Sequence, residues 1–90
     1  MNIYDKITNC DKIVCFIEGA NINCMSMFYK KKVLESQFYL ATMTFIADTA
    51  TNFPIKDITI CGYETENSKT LKPLFSGNYV ELQKAMIGVA

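Results

Sequence analysis

The stretch from Lys12 to Gly19, KIVCFIEG, is the segment that decides the fold of this chain. Five consecutive apolar residues, Ile13 to Ile17, stand between a lysine and a glutamate, and three of the five are β-branched. Because successive side chains of a strand point to opposite faces, a continuous apolar run predicts a strand that is buried on both faces. Gly19 closes the run, so we expect the strand to end there.

A helix is the competing interpretation of the same region. Apolar residues also recur at heptad spacing from Ile3 to Ile17, and Gly19 would then serve as the C-cap of that helix. One long helix would, however, leave Ile13 and Phe16 off the apolar stripe and facing water. We therefore expect a short helix from Ile3 to Asn9, followed by the strand.

A second strand is predicted from Ile22 to Tyr29, returning against the first after a turn at Gly19 to Asn21. Its alternation separates two faces, one with Ile22, Cys24, Ser26 and Phe28, the other with Met25, Met27 and Tyr29. Neither face is polar enough to predict an open, solvated surface. Three lysines follow, and we expect Lys30 to Lys32 to form a solvated connection.

The helical period returns from Val33 to about Thr51. Two adjacent apolar stripes run along this segment: Leu34, Phe38, Ala41 and Phe45 in the first, and Val33, Leu40, Met43, Ala47 and Ala50 in the second. Such a broad apolar face predicts a helix that packs against the sheet on one side and against another helix or a second subunit on the other. Self-association is therefore expected.

The rest of the chain completes a small α+β domain. A third strand is predicted from Ile55 to Tyr63, a polar surface loop from Glu64 to Lys72, and a C-terminal helix that starts with the capping-box spacing of Asn78 and Glu81. The predicted order is α-β-β-α-β-α, in one compact domain of residues 1–90, with a three-stranded, mainly antiparallel sheet covered by helices. A mostly helical fold is the alternative.

Three absences in the composition exclude much chemistry. The 90 residues contain no histidine, no arginine and no tryptophan. Without histidine there is no imidazole base or imidazole metal ligand, and without arginine there is no bidentate fork for phosphate or carboxylate. Isolated glycines form no phosphate-binding loop. We therefore expect a protein that is not an enzyme and that has no cofactor.

The four cysteines are separated by gaps that do not fit a structural zinc site. Cys10, Cys15, Cys24 and Cys61 lie five, nine and thirty-seven positions apart, whereas zinc ligands usually occur as paired Cys-x-x-Cys motifs. No stretch has the apolar length of a membrane span or the flanks of a signal peptide. We expect a cytoplasmic protein whose cysteines are reduced, buried thiols.

The charge balance argues against nucleic acid as a partner. Nine lysines and nine acidic residues give a net charge of zero. Phe28, Tyr29 and Lys30 to Lys32 combine aromatic rings with cations, as single-strand nucleic-acid platforms do. The span from Glu35 to Glu66, however, carries five acids and one lysine, and a polyanion would be repelled by it.

Two functional hypotheses remain. The first is a non-enzymatic protein–protein interaction module, for example an inhibitor of a host system encoded by a phage or mobile element, which acts by covering a partner's surface. The second is a binder of a small ligand such as a nucleotide. The predicted partner-binding residues are Phe28, Tyr29, Lys30, Lys31, Lys32, Glu64 and Glu66.

Overall fold

The computed structural model describes residues 2–31 and 33–87, with the backbone alone for Ile87. Within these residues, three helices and four strands follow one another as α1 (Ile3–Thr8), β1 (Lys12–Gly19), β2 (Asn23–Tyr29), α2 (Glu35–Asn52), β3 (Ile55–Tyr63), β4 (Lys72–Gly77) and α3 (Tyr79–Ile87). The strands form one antiparallel sheet in the order β2-β1-β3-β4. The α+β class is confirmed, and the predicted three-stranded sheet is corrected to four strands.

The short helix and the following strand form as the apolar pattern predicts. Asn2 caps α1, because its side-chain oxygen accepts a hydrogen bond of 2.9 Å from the N–H of Asp5. β1 then lies between β2 and β3, so both of its edges are paired. Its alternate residues Ile13, Cys15 and Ile17 are almost fully buried and belong to the core.

The turn after β1 depends on a close approach of backbone to Gly19. A Cβ atom at this position would lie 2.2 Å from the carbonyl oxygen of Pro54, so only glycine fits. The N–H of Gly19 donates to the carbonyl of Ile22 at 2.8 Å, which closes the turn before β2 begins at Asn23.

Helix α2 buries a different face from the one its apolar stripes predict. The buried residues are Phe38, Thr42, Met43, Ile46 and Thr49. The threonines are tolerated inside because the Thr42 and Thr49 hydroxyls donate to helix carbonyls one turn earlier, at 3.0 and 2.8 Å. Leu40, by contrast, is 63% exposed, so this part of the second stripe lies outside the core of the single chain.

Strand β4 is the element that the sequence prediction lacked. It begins at Lys72, where the predicted loop ends, and it includes Pro73. Proline fits here because β4 is an edge strand and because its pairing with β3 shifts register between Ile60 and Cys61, where Pro73 lies opposite Cys61. Asn78 then caps α3, accepting a 2.8 Å hydrogen bond from the N–H of Glu81.

All three helices contribute to one core on a single face of the sheet. Side chains of α1, α2 and α3, such as Ile7, Phe38 and Leu82, cluster with Ile13, Cys15 and Ile17 of β1 and with Ile58 and Ile60 of β3. The result is a two-layer domain, helices on sheet. Among the described residues, no helix is both long and apolar enough to cross a membrane.

Candidate functional site: the open face of the sheet

The side of the sheet that points away from the helix-lined core forms what we call the open sheet face. The strand register aligns its residues in rows across the three strands β2, β1 and β3. From one end to the other the rows are Tyr29, Lys12 and Tyr63; Met27, Val14 and Cys61; Met25, Phe16 and Thr59; and Asn23, Glu18 and Asp57.

The centre of the open sheet face is apolar and accessible. Val14 is 2% exposed and forms its floor, whereas Met27 is 44%, Met25 is 55% and Phe16 is 39% exposed. Phe16 and Met25 are direct cross-strand partners. Beside them lies a shallow depression of about 330 Å³, whose walls include Phe16, Met25 and Thr59. Three large apolar side chains therefore stand together in solvent.

One end of the open sheet face carries a cation between two aromatic rings. The Lys12 ammonium lies 4.3 Å from the centroid of the Tyr63 ring and 5.7 Å from that of the Tyr29 ring. Both distances are within the range in which a ring face attracts a cation. The lysine is therefore held over the sheet, where its charge borders the apolar centre.

The opposite end is acidic. Glu18 of β1 lies opposite Asp57 of β3 and opposite Asn23 of β2. All three side chains are exposed. The open sheet face thus has a positive end, an apolar centre and a negative end, arranged along the direction of β1.

The structure separates the predicted aromatic pair Phe28 and Tyr29. Tyr29 is 53% exposed and belongs to the open sheet face. Phe28 points to the helix side, where it packs against the core with its ring centroid 5.8 Å from that of Phe45. A strand places neighbouring side chains on opposite faces, so Phe28 does not share a surface with Tyr29. We therefore leave Phe28 out of the site.

The two described lysines of the predicted run, Lys30 and Lys31, already contact other residues of the chain. The Lys30 ammonium donates to the carbonyl oxygen of Thr8 and lies 3.6 Å from a carboxylate oxygen of Glu35. Lys31 pairs with Glu66 at 3.3 Å. Lys32 lies outside the described residues. The described lysines of this run are thus close to carboxylates, which weakens any attraction to a polyanion.

Glu64 and Glu66, predicted on one surface, point to different partners. β3 ends at Tyr63, so the alternation that would align the two carboxylates does not continue. Glu64 accepts a hydrogen bond from Lys72, and this contact lowers the pKa of the Glu64 carboxyl and raises that of Lys72. Glu66 instead faces Lys31. The two glutamates do not form a carboxylate pair for acid–base chemistry.

A second cavity lies where α1 meets β4. It has a volume of about 530 Å³ and is lined by Lys6, Asn9, Cys10, Glu64, Lys72, Pro73 and Leu74. The hypothesis of a small-ligand binder would place its ligand here. Two lysines, Lys6 and Lys72, line the cavity. Lys72 is already paired with Glu64, so the cavity attracts an anionic ligand less strongly than two unpaired lysines would.

The three buried thiols, Cys10, Cys15 and Cys61, are held in their neutral form. Burial raises the pKa of Cys15 to about 12, with smaller contributions from Cys61 and Cys24, and burial also raises the pKa of Cys10 and Cys61. Cys10, Cys15 and Cys61 are buried, as predicted, whereas Cys24 is partly accessible. In the described part of the chain, no three metal-ligating side chains group together. A protonated thiol is a poor nucleophile, so these cysteines suit packing.

The open sheet face was not predicted, although the sequence carried a signal for it. Lys12, Val14, Phe16 and Glu18 alternate with core residues and run from a cation to an anion. The continuous apolar run of β1 hid this polarity, because it predicted cover on both faces. Comparison of the chain with protein-family models, with curated proteins and with solved structures finds no match.

Proposed function

We propose that this protein is a non-enzymatic interaction module that binds a protein partner through the open sheet face. The observation that carries the proposal is the accessible apolar centre of Phe16, Met25 and Met27, which lies between a row with a cation and a row with two carboxylates. Apolar patches of this kind mark interaction sites more often than single exposed apolar residues do.

The chemistry of the open sheet face suits a protein surface. Methionine and aromatic residues are enriched at protein interfaces, and both types stand in its centre. Methionine side chains adapt their shape to a partner, since their three rotatable bonds are unbranched. The Lys12 end and the Glu18 and Asp57 end carry opposite charges, so a partner with complementary charges would be held in one orientation.

Nucleic acid suits the open sheet face poorly. Single-strand binders combine stacking aromatic rings with a groove of cations that follows the backbone. Here Lys12 is the cation among Tyr29, Tyr63 and Phe16, and the acidic end would repel phosphates. Labelled oligonucleotides at about 150 mM salt are therefore expected to form no specific complex.

The proposed mode of action is inhibition by coverage. In this mode the protein alters the activity of its partner by occupying a surface that the partner needs. We extend the proposal to an inhibitor of a host system encoded by a phage or mobile element, as the size and neutral composition of the chain suggest.

Capture from the native cell with matched variants tests the proposal. Phe16→Ser removes the central apolar contact from a half-exposed position, whereas Leu40→Ser changes an equally apolar, 63% exposed side chain on α2. A tagged wild-type protein and the L40S variant are expected to retain the same protein partner, and F16S to lose it. Purified partner should lose activity on addition of wild type but not of F16S. Equal retention by F16S and L40S would contradict the proposal.

A further inference from the structure

The outer edge of β2 carries unpaired backbone groups in a regular row. Two hydrogen bonds fix the ladder between β1 and β2: the Lys30 N–H donates to Asp11 at 2.9 Å, and the Gly19 N–H donates to Ile22 at 2.8 Å. In an antiparallel pair, every second residue exchanges such bonds with its partner strand. The residues Ile22, Cys24, Ser26, Phe28 and Lys30 therefore bond to β1.

The backbone N–H and C=O groups of the intervening residues point away from β1. These residues are Asn23, Met25, Met27 and Tyr29, whose side chains belong to the open sheet face. β2 is the terminal strand of the sheet in the part of the chain that the structure describes, so no further strand follows there. The edge therefore offers alternating donors and acceptors over the full length of the strand.

The two edges of the sheet differ in their protection against pairing. β4 has Lys72, Pro73 and a register shift, and each of these features discourages the addition of another strand. β2, with the sequence NCMSMFY, has no charge, no proline and no glycine, and its register with β1 is unbroken. Only one of the two edges is blocked.

We infer that β2 pairs antiparallel with β2 of a second copy of this chain, about a two-fold axis at Ser26. In this register every residue of β2 lies opposite a residue of β2 in the second copy. It places Met25 opposite Met27 of the second copy and Asn23 opposite Tyr29 of the second copy. Every outward-facing residue then meets another outward-facing residue, so each of these backbone donors finds an acceptor.

A second copy suits this edge because β2 is complementary to itself. The strand is uncharged, so the two-fold axis brings no like charges together. The Tyr29 row of one copy continues into the Asn23 row of the other, so the Lys12 end of one open sheet face lies in line with the Glu18 and Asp57 end of its neighbour. The charges that share a row across the seam are thus opposite in sign.

Pairing in this register joins the two open sheet faces into one. Antiparallel partners point to the same side of a sheet, so Met27 of one copy stands beside Met25 of the other. Phe16, the cross-strand neighbour of Met25, follows in the same row. The dimer would present a continuous apolar strip to a partner. Pairing itself needs only the β2 edge and does not depend on the binding of another protein.

Sedimentation measurements on the full chain test the pairing. Wild type is expected to be a dimer at about 100 μM, well above a micromolar dissociation constant. Met25→Pro removes an outward-facing N–H and leaves the ladder to β1 intact, so this variant should be a folded monomer by circular dichroism. Phe16→Ser, on the central strand, should remain a dimer even if it loses its protein partner. A monomeric wild type would overturn the inference.

Disulfide trapping tests the register of the pairing independently of the Met25→Pro variant. Opposite residues of a non-hydrogen-bonded pair have Cα atoms about 4.5 Å apart, which a disulfide can span. Ser26→Cys in a Cys24→Ala background is therefore expected to cross-link to itself on mild oxidation. Ser76→Cys in the same background places a thiol on β4, the blocked edge, and should form no disulfide between copies, although it still dimerises through β2. A dimer in which S26C fails to cross-link, or in which S76C cross-links equally well, would refute this pairing.

Discussion

The Lys12 ammonium lies 4.3 Å from the centroid of the Tyr63 ring, on the opposite side of the sheet from the core. Tyr29 approaches the same ammonium from β2, at 5.7 Å. Lys12 thus contributes to the stability of the sheet through its contacts with two rings, and it also forms one end of the surface that we propose for binding.

Replacing Lys12 with glutamine is expected to lower the free energy of unfolding by about 0.5–1 kcal/mol, the usual worth of an accessible cation–π contact. Urea unfolding of K12Q beside K56Q measures the effect, since Lys56 is an exposed lysine on β3. Equal losses in the two variants would show that the rings contribute nothing specific.

Phe38→Ala is expected to lower the free energy of unfolding by about 3–5 kcal/mol, because it opens a cavity at a side chain that is 2% exposed. Leu40→Ala, two residues further along α2, should change it by no more than about 0.5 kcal/mol. Chemical denaturation of both variants decides which face of α2 is buried. A large loss of stability in L40A would mean that Leu40 lies on the buried face of α2, contrary to the structure.

Gly62→Ala tests a close contact between β3 and Cys10, in the connection from α1 to β1. A Cβ atom at Gly62 would lie 2.5 Å from Sγ of Cys10, so the substitution should destabilise the fold by about 1–3 kcal/mol. In a Cys10→Ala background that sulfur is gone, and the loss should shrink by at least about 0.5 kcal/mol. The side chain of Ile13, 3.1 Å from the same point, makes the rescue partial. Additive losses in a double-mutant cycle would contradict the contact.

The buried Cys15 thiol predicts a loss of stability at alkaline pH. Its pKa is raised from 9.0 to about 12 in the folded protein, so the unfolded chain releases its proton first. Stability from this group is complete below about pH 9 and falls by at most about 1.4 kcal/mol per pH unit towards pH 12. Cys10 and Cys61 act in the same direction.

Urea unfolding at about pH 8 and about pH 10 measures this dependence, and Cys15→Ala should make it shallower. The comparison uses the slopes, because the alanine variant also loses packing. Identical slopes for wild type and C15A would mean that Cys15 does not titrate in this way.

The elements with a strong apolar period were predictable, and the reasons for the exceptions are physical. The run from Ile13 to Ile17 does form a central strand, and the brief helix before it is confirmed. β4 was missed because Pro73 and Gly77 normally interrupt strands, whereas an edge strand with a register shift accommodates them. β2, the other edge strand, contains neither proline nor glycine and was predicted from its alternation.

The candidate site was harder to predict than the fold. Thr42 and Thr49 of α2 are tolerated in the core because their hydroxyls bond to carbonyls of their own helix, whereas the apolar Leu40 lies on the exposed side. Among the predicted site residues that the structure describes, only Tyr29 lies on the open sheet face, and the others lie in separate places. Sequence neighbours on a strand point to opposite faces, so a surface is formed by residues two apart on several strands.

The strand order β2-β1-β3-β4 determines when the sheet becomes complete during synthesis. The hairpin of β1 and β2 can form as soon as Tyr29 has left the ribosome, since its turn is short. The other edge of β1 waits for β3, which emerges only after the 18 residues of α2. During that interval the most apolar strand of the protein has a bare edge, and the nascent chain is then most open to mispairing or to capture by a chaperone.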